Sequence, residues 1–232
     1  MLSRVADGLY WVGRYLERAE NTVRILDVNL NLMLEGSSMG NEARWERVKC
    51  ALGSPPGVDA NDVDGTVKRL VLDPENRASV VRCIASAREN ARQARDEISS
   101  EQWQKLNRLY HALAEMRSPE RYPMLSDAMQ AIVEGIHLFQ GVTDTTMPHG
   151  QGWQFIRGGR YMERASQTAM LLETHYRELF LDEVTDDHPS QYFEWIGLLR
   201  CCTSFEAYCT VYTAELAPER ILEFLLLNRE GA

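Results

Sequence analysis

Much of what usually announces chemistry is missing from this chain of 232 residues. No glycine-rich loop of the phosphate-cradling kind occurs. The "RGGR" at Arg157–Arg160 lies inside a helical pattern, where its glycines predict close helix packing. The five histidines (His111, His137, His149, His175, His188) are scattered without the H-x-x-x-H spacing of a helical metal site. No metal is therefore expected, and His137, within "VEGIHLFQG", is expected to be packed. The five cysteines are an odd number with no C-x-x-C pair, which excludes a disulfide framework and fits a reducing cytoplasm. No serine or cysteine stands beside a base at nucleophile spacing. Positive charge is scarce too: 25 Lys and Arg against 34 Asp and Glu leave a formal charge of −9. Such a chain repels phosphate backbones and anionic membranes, so nucleic acid and lipid surfaces drop out as partners. Long apolar runs are absent. "MLSRVADGLYWVGRYLER" reaches charge too soon for a signal peptide, and "FLLL" near the C-terminus is far too short to span a bilayer.

What is present is helical periodicity almost everywhere. From Val12 the apolar residues step by four and three: Val12, Leu16, Ala19, Val23, Leu26, Leu30, Met33. A first helix is expected from Ser3 to a turn in "EGSSMGN", with Gly36 as its cap. Short helices follow in "EARWERVKCAL" and over about Val63 to Leu72, separated by the loop "GSPPGVDAND". "DPEN" predicts the next start, with Asp73 as cap and Pro74 at the first helical position. Ser99 or Ser100 opens another helix, and further helices are expected over about Met124–Val142 and Gly152–Leu181. Two or three helices fill the remainder, one of them starting near Pro218. The expectation is an all-α array of about nine helices.

The chain also repeats itself. "GRYLERAEN" (Gly13–Asn21) returns as "GRYMERASQ" (Gly159–Gln167), an offset of 146. The apolar stripe maps onto Gly158, Met162, Ala165, Ala169, Leu172, Tyr176 and Leu179, so the same face is expected to be buried in both long helices. Trp45 aligns with Trp195 and Leu72 with Leu227, at slowly growing offsets. This predicts one domain over residues 1–232 built by duplication, with copies at about 1–146 and 147–232. Counted against the first copy, the second lacks roughly seventy residues at its C-terminal end. That in turn predicts apolar surface left bare or covered by another chain.

On a helical wheel Arg14, Glu17, Arg18 and Asn21 lie opposite the first stripe; Arg160, Glu163, Arg164 and Gln167 repeat the pattern. Two readings of this face stand. One is a solvated surface tied by i, i+3 ion pairs of ~0.2–0.5 kcal/mol each. The other is a pair of buried Arg–Glu clusters related by a pseudo-two-fold axis. The second draws on Ile25, Val28 and Leu32, which make the same face apolar downstream. It draws also on Tyr10, Tyr15 and Tyr161, whose rings suit guanidinium planes. Such a cluster can fix helix register, or leave a guanidinium fork open to an anionic ligand. A second basic stripe, Arg88, Arg92 and Arg95, lies in "RCIASARENARQARDEI" with Arg82, Glu89 and Asp96. It reads as a solvated or partner-facing stripe, or as a groove for an acidic ligand.

The stretches "MLSRVADGLYW", "RYLERAEN", "SARENARQARDEISSEQWQKLNRLY" and "GWQFIRGGRYMERA" together resemble the bacterial alpha-E family, named for its helices and its Glu-Arg motif. The likeness covers essentially the whole chain. Asn41 to Asp64 matches weakly, and "SQT" replaces a more acidic stretch after the second Glu-Arg pair. The resemblance implies a setting: alpha-E domains stand beside, or fused to, circularly permuted ATP-grasp ligases, and near transglutaminase-like proteins. It therefore implies a cytoplasmic accessory or scaffold module that docks on or regulates a peptide-forming or peptide-modifying ligase. ATP and Mg would enter only through that partner, and the module would need no cofactor of its own. Two alternatives are carried with it. One is an enzyme or peptide-binding protein using Glu17 and Glu163 as acid or base and the four motif arginines to hold an anionic peptide. The other is a structural homo-oligomer.

Overall fold

A computed structural model describes residues 1–34, 40–55, 58–116, 125–181, 188–213 and 215–228. Gly36, expected to cap the first helix, lies outside them. The described residues form ten α-helices and no strand, and no helix among them is long and apolar enough to cross a membrane. In chain order they are α1 (Ser3–Leu34), α2 (Asn41–Ala51), α3 (Val63–Val71), α4 (Val80–Gln93), α5 (Ser100–Met116), α6 (Leu125–Thr146), α7 (Gln151–Leu181), α8 (His188–Cys201), α9 (Phe205–Tyr212) and α10 (Pro218–Leu227). A single 3-10 turn, Arg95–Glu97, links α4 to α5.

The helices belong to two compact units. The first takes Met1–Val23 and Asp62–Ala165; the second takes Arg24–Asn61 and Ser166–Ala232. In the first unit α3 packs on α4, α4 on α5 and α5 on α6. Leu70, Ile84, Ala87, Leu106, Leu113, Ile132 and Phe139 fill the space between them. The start of α5 is set by a reciprocal cap. Ser99 Oγ accepts from the Gln102 amide at 3.1 Å, and Gln102 Oε1 accepts from the Ser99 amide at 2.7 Å. Two otherwise orphaned donors are thereby satisfied. Nε2 of the buried Gln102 side chain donates to Thr143 Oγ1 at 2.9 Å, which ties α5 to the end of α6.

In the second unit α8, α9 and α10 pack in succession. Trp45, Trp195, Leu198, Tyr208, Ile221 and Phe224 are buried there. The Tyr208 hydroxyl donates to the Glu215 carbonyl and the Tyr176 hydroxyl to that of Pro218, so the buried Tyr208 and the half-buried Tyr176 each keep their polar end satisfied.

Three expectations change. First, α4 begins at Val80, not Pro74, with Ser79 as its N-cap. The Asp73 carboxylate and Asn76 carboxamide oxygens accept from the Glu75 and Ala78 amides, and Asn76 Nδ2 donates to the Arg69 carbonyl. These local side-chain bonds compete with helix over "DPEN" and win. Second, His137 is not packed: its side chain is 52% exposed, and its ring nitrogen lies 2.9 Å from Glu20 Oε1. Third, the two apolar stripes have different fates. Val12, Leu16, Ala19, Val23 and Leu26 are buried on α1. On α7 the counterparts Met162, Ala165 and Ala169 are exposed, Met162 at 54%. In the first unit α7 turns inward Ile156, Gly159 and Glu163 instead. Downstream on α1, Ile25, Val28 and Leu32 are buried, as the second reading of the motif face requires.

Candidate functional site

The crossing of α1 and α7 in the first unit is built on two glycines. A Cβ on Gly13 would overlap the Ile156 carbonyl, and a Cβ on Gly159 would overlap that of Tyr10. Only glycine lets these backbones approach so closely. The contact is reciprocal in sequence, because 13 and 10 map onto 159 and 156 at the repeat offset.

Close approach carries the motif side chains of each helix onto the other. Glu163, 1% exposed, receives Arg14 Nε at 2.5 Å and Arg18 Nε and Nη2 at 2.6 and 3.0 Å. Glu17, 5% exposed, receives Arg164 Nε at 2.6 Å and stands 3.3 Å from Arg160 Nε. Each carboxylate of one helix is thus clasped by two arginines of the other. The arginine side chains are only partly covered, at 21% and 34% exposed for Arg14 and Arg18 and 27% and 33% for Arg160 and Arg164. Six of the eight residues singled out in the motif therefore meet at this crossing. Asn21 and Gln167 are half-buried further along α1 and α7.

The two halves of the clasp differ. On α1 the arginines are walled by rings. Arg14 lies 5.3 Å from the Trp11 centroid and 5.8 Å from that of Tyr10, and its Nη1 donates to the Tyr10 hydroxyl at 3.2 Å. Arg18 lies 5.8 Å from the Tyr15 ring, which itself packs on Trp11. On α7 the equivalents of Tyr10 and Trp11 are Ile156 and Arg157. Arg157 also takes Tyr161, donating to its hydroxyl at 2.6 Å and lying 5.2 Å from its ring. The consequence is visible in the bonding: Glu17 Oε2 and Arg160 Nε are buried without a hydrogen-bond partner.

Electrostatics follow the bonds. Burial pushes the Glu163 carboxyl up, but hydrogen bonds and charge from Arg18 and Arg14 outweigh it, and the group is held below its usual range. Burial works against the charge of Arg14 and Arg164. Glu163 and Tyr10 outweigh it for Arg14, and Glu17 and Glu20 for Arg164, so both pKa values rise. For Arg18 the hydrogen bond to Glu163 is the largest influence, and it too is raised. The bonds thus favour the charged forms of Glu163, Arg14, Arg18 and Arg164. Beside this clasp the buried Glu20 accepts from Gln140 Nε2 at 3.2 Å in addition to its His137 contact.

The second basic stripe does not form a single groove. Arg88 donates to Asn107 and lies over Trp103 and Tyr110, at 5.3 and 4.7 Å. Arg95 also lies over the Trp103 ring, at 5.8 Å, and donates to the Ile98 carbonyl. Arg92 forms an exposed i, i+3 pair with Glu89, at 2.7 Å. Stacking on α5 separates Arg88 and Arg95 from Arg92, whose pair belongs to the solvated class.

A cluster in the second unit was not singled out by spacing. Arg44, 1% exposed, donates to Glu194 at 2.7 Å, and Arg47 donates to the same carboxylate at 2.7 Å. Arg44 Nη1 also reaches Asn29 Oδ1 at 3.3 Å. The one available signal was the alignment of Trp45 with Trp195, which sets Arg44 against Glu194 at an offset of 150. Arg47, Glu194, His175 and Cys201 line a cavity of about 10 Å³, on the order of one water. His175 Nδ1 donates to the Leu171 carbonyl at 2.8 Å, so Nε2 is left as the acceptor. Burial, and after it the Arg47 charge, push this ring down to about 3.

That depression has a sign. The folded ring stays neutral while the unfolded ring binds a proton below about 6.5, so stability is lost as pH falls from there toward 3. Denaturant unfolding across this window should show a His175 slope of about 1.4 kcal/mol per pH unit. His175→Gln should remove it; an unchanged slope in the variant would show that the ring is not the group responsible.

Among the described residues no group of three or more His, Cys, Asp or Glu side chains is placed to hold a metal. No solved structure matches the chain. Curated relatives include an uncharacterized protein of Mycobacterium bovis, 27% identical over 192 residues, and two of Mycobacterium tuberculosis, 27% and 26% identical over the same length. In each case the match covers 73% of this chain and 22% of the relative, so the chain spans about a fifth of their length. The profile of the Alpha-E family, described as a predicted alpha-helical domain with a conserved ER motif, matches residues 1–231. The repeated pairs Glu17–Arg18 and Glu163–Arg164 of this chain lie at the α1–α7 crossing, and with the profile covering nearly every residue, the chain belongs to the Alpha-E family.

Proposed function

We propose that this domain is a non-catalytic helical accessory module that docks on and regulates a circularly permuted ATP-grasp ligase in a peptide synthesis or modification system. One observation carries the non-catalytic part. Both motif glutamates are buried, and each is clasped by two guanidiniums of the opposite helix. A carboxylate so held has no path to a substrate proton, and Glu163, kept below its usual range, is a weak base besides. The ligase as partner comes from the family's setting; ATP and Mg belong to it, a transglutaminase-like protein is a further candidate, and the shared compartment is the cytoplasm.

Co-purification from the native host, with a tag on this protein, tests the docking. The ATP-grasp polypeptide should be recovered in near-stoichiometric amount, and adding the module to the purified ligase should change its rate of ATP hydrolysis. An eluate without the ligase, or an unaltered rate, would overturn the reading.

A second reading, a peptide-binding protein that holds an anionic substrate, is favoured by one asymmetry. Among the described residues the terminal amines of Arg160 and Arg164 donate no hydrogen bond, whereas Arg14 and Arg18 each have one engaged.

A further inference from the structure

The asymmetry of the clasp says where a ligand would sit. All four arginines turn the Nε edge of the guanidinium toward a buried glutamate. That edge pins the group; Arg18 adds its Nη2 to the same carboxylate, whereas among the described residues no terminal amine of Arg160 or Arg164 donates a hydrogen bond. On α1 the Tyr10 hydroxyl receives one of those amines and holds Arg14 at 2.5 Å from its glutamate. On α7 the equivalent residue is Ile156, which has no oxygen to offer. Arg160 accordingly stands off at 3.3 Å, and Glu17 Oε2 is buried without a donor. Among the described residues the α7 half thus lacks one acceptor oxygen that α1 supplies to Arg14 from its own helix.

We propose that Arg160 and Arg164 form a binding site for a carboxylate, seated against Arg160 as the Tyr10 hydroxyl is seated against Arg14. The inference rests on the peptide-binding reading of the same motif and names its ligand chemistry: a carboxylate borne on a peptide side chain or terminus. Charge favours a monoanion. Arg160 and Arg164 carry two positive charges against the single negative charge of Glu17, a surplus of one. A phosphate dianion would exceed that surplus beside Glu20, whose charge already acts on Arg164. Planar forks also suit a planar carboxylate, which they bind through two parallel bonds. Seating it draws Arg160 toward Glu17 Oε2 and satisfies both orphaned atoms together.

Site-resolved NMR of the full chain, labelled at arginine Nε, tests this. The probe is N-acetyl-glutamate amide, whose one charge is its side-chain carboxylate. Inorganic phosphate and chloride at matched ionic strength are run beside it. Saturable shifts are expected at Arg160 and Arg164, with little change at Arg14 or Arg92. Arg160→Lys keeps the charge but loses the fork, and should weaken binding at least tenfold with an unchanged helical circular dichroism spectrum. Shifts that follow ionic strength alone, equal shifts at Arg92, or full affinity in Arg160→Lys would each overturn the site. Saturation by phosphate and not by the carboxylate would overturn the ligand class. If Arg160→Lys fails to fold, the wild-type shifts decide by themselves. A peptide segment and a peptide terminus are separated by repeating the titration with a C-terminal carboxylate, N-acetyl-alanine, and tighter binding of either supports the proposal and names the source. No ligase is present in this experiment, so its failure leaves the co-purification result standing, and the reverse holds too.

Discussion

Gly159→Ala is expected to destabilise the chain by about 3 kcal/mol, which for this length is a fall of roughly 6–12 °C in Tm. Gly158→Ala, one residue earlier on the same helix, is expected to stabilise it by up to ~1 kcal/mol. The two residues share a helix and a neighbourhood, so the difference isolates the crossing. A Cβ at Gly158 meets nothing within 4 Å, and the substitution gains only helix propensity. A Cβ at Gly159 overlaps the Tyr10 carbonyl and comes within 3.2 Å of the Arg14 amide. Those atoms are backbone in the middle of α1, so no rotamer change relieves the overlap and the helices must separate. Gly13→Ala, against the Ile156 carbonyl, should behave like Gly159→Ala. Thermal melts followed by circular dichroism measure all three; equal effects of Gly158→Ala and Gly159→Ala would show that the crossing is looser than described.

Glu163→Gln is expected to lower stability by about 2–4 kcal/mol, and Glu17→Gln by less, though more than the exposed control Glu42→Gln, which should stay within about 0.5 kcal/mol of wild type. The order follows from the bonds. Glu163 accepts three hydrogen bonds from two arginines, so its loss strands two partly buried guanidiniums. Glu17 accepts one and faces Arg160 across 3.3 Å. The arginines are a fifth to a third exposed, and water screens part of the cost. The Glu163 contribution also depends on pH. Its folded pKa lies below the unfolded value of about 4.3, so the stabilisation is complete above that value and is lost as pH falls through the folded one. Glu163→Gln should flatten acid unfolding below about pH 4.3. Equal, small effects of all three substitutions would return the motif to a solvated surface.

Helix positions were legible because a 3.6-residue period survives local irregularity, as the bounds of α1, α3 and α7 show. The motif face was legible in part. Wheel geometry set Arg14, Glu17 and Arg18 on one side, and the apolar residues below them pointed to burial. It did not reveal that each glutamate is clasped by the opposite helix, because ion pairs at i, i+3 look equally good in one dimension. The start of α4 was misread because Pro74 satisfies a rule for helix entry while Asn76 satisfies a competing one for turns. His137 was misread because an apolar setting says nothing of a carboxylate, Glu20, more than a hundred residues away. The bare face of α7 was hidden by sequence likeness: Met162 and Leu16 are interchangeable as letters, but only Leu16 is covered.

The two glycine contacts press on main-chain oxygen and not on side chains. Main-chain oxygen is the same atom whichever amino acid carries it. Damage at Gly13 or Gly159 therefore has no complementary replacement at Ile156 or Tyr10, and a genetic selection for restored folding should return true revertants or changes remote from the crossing.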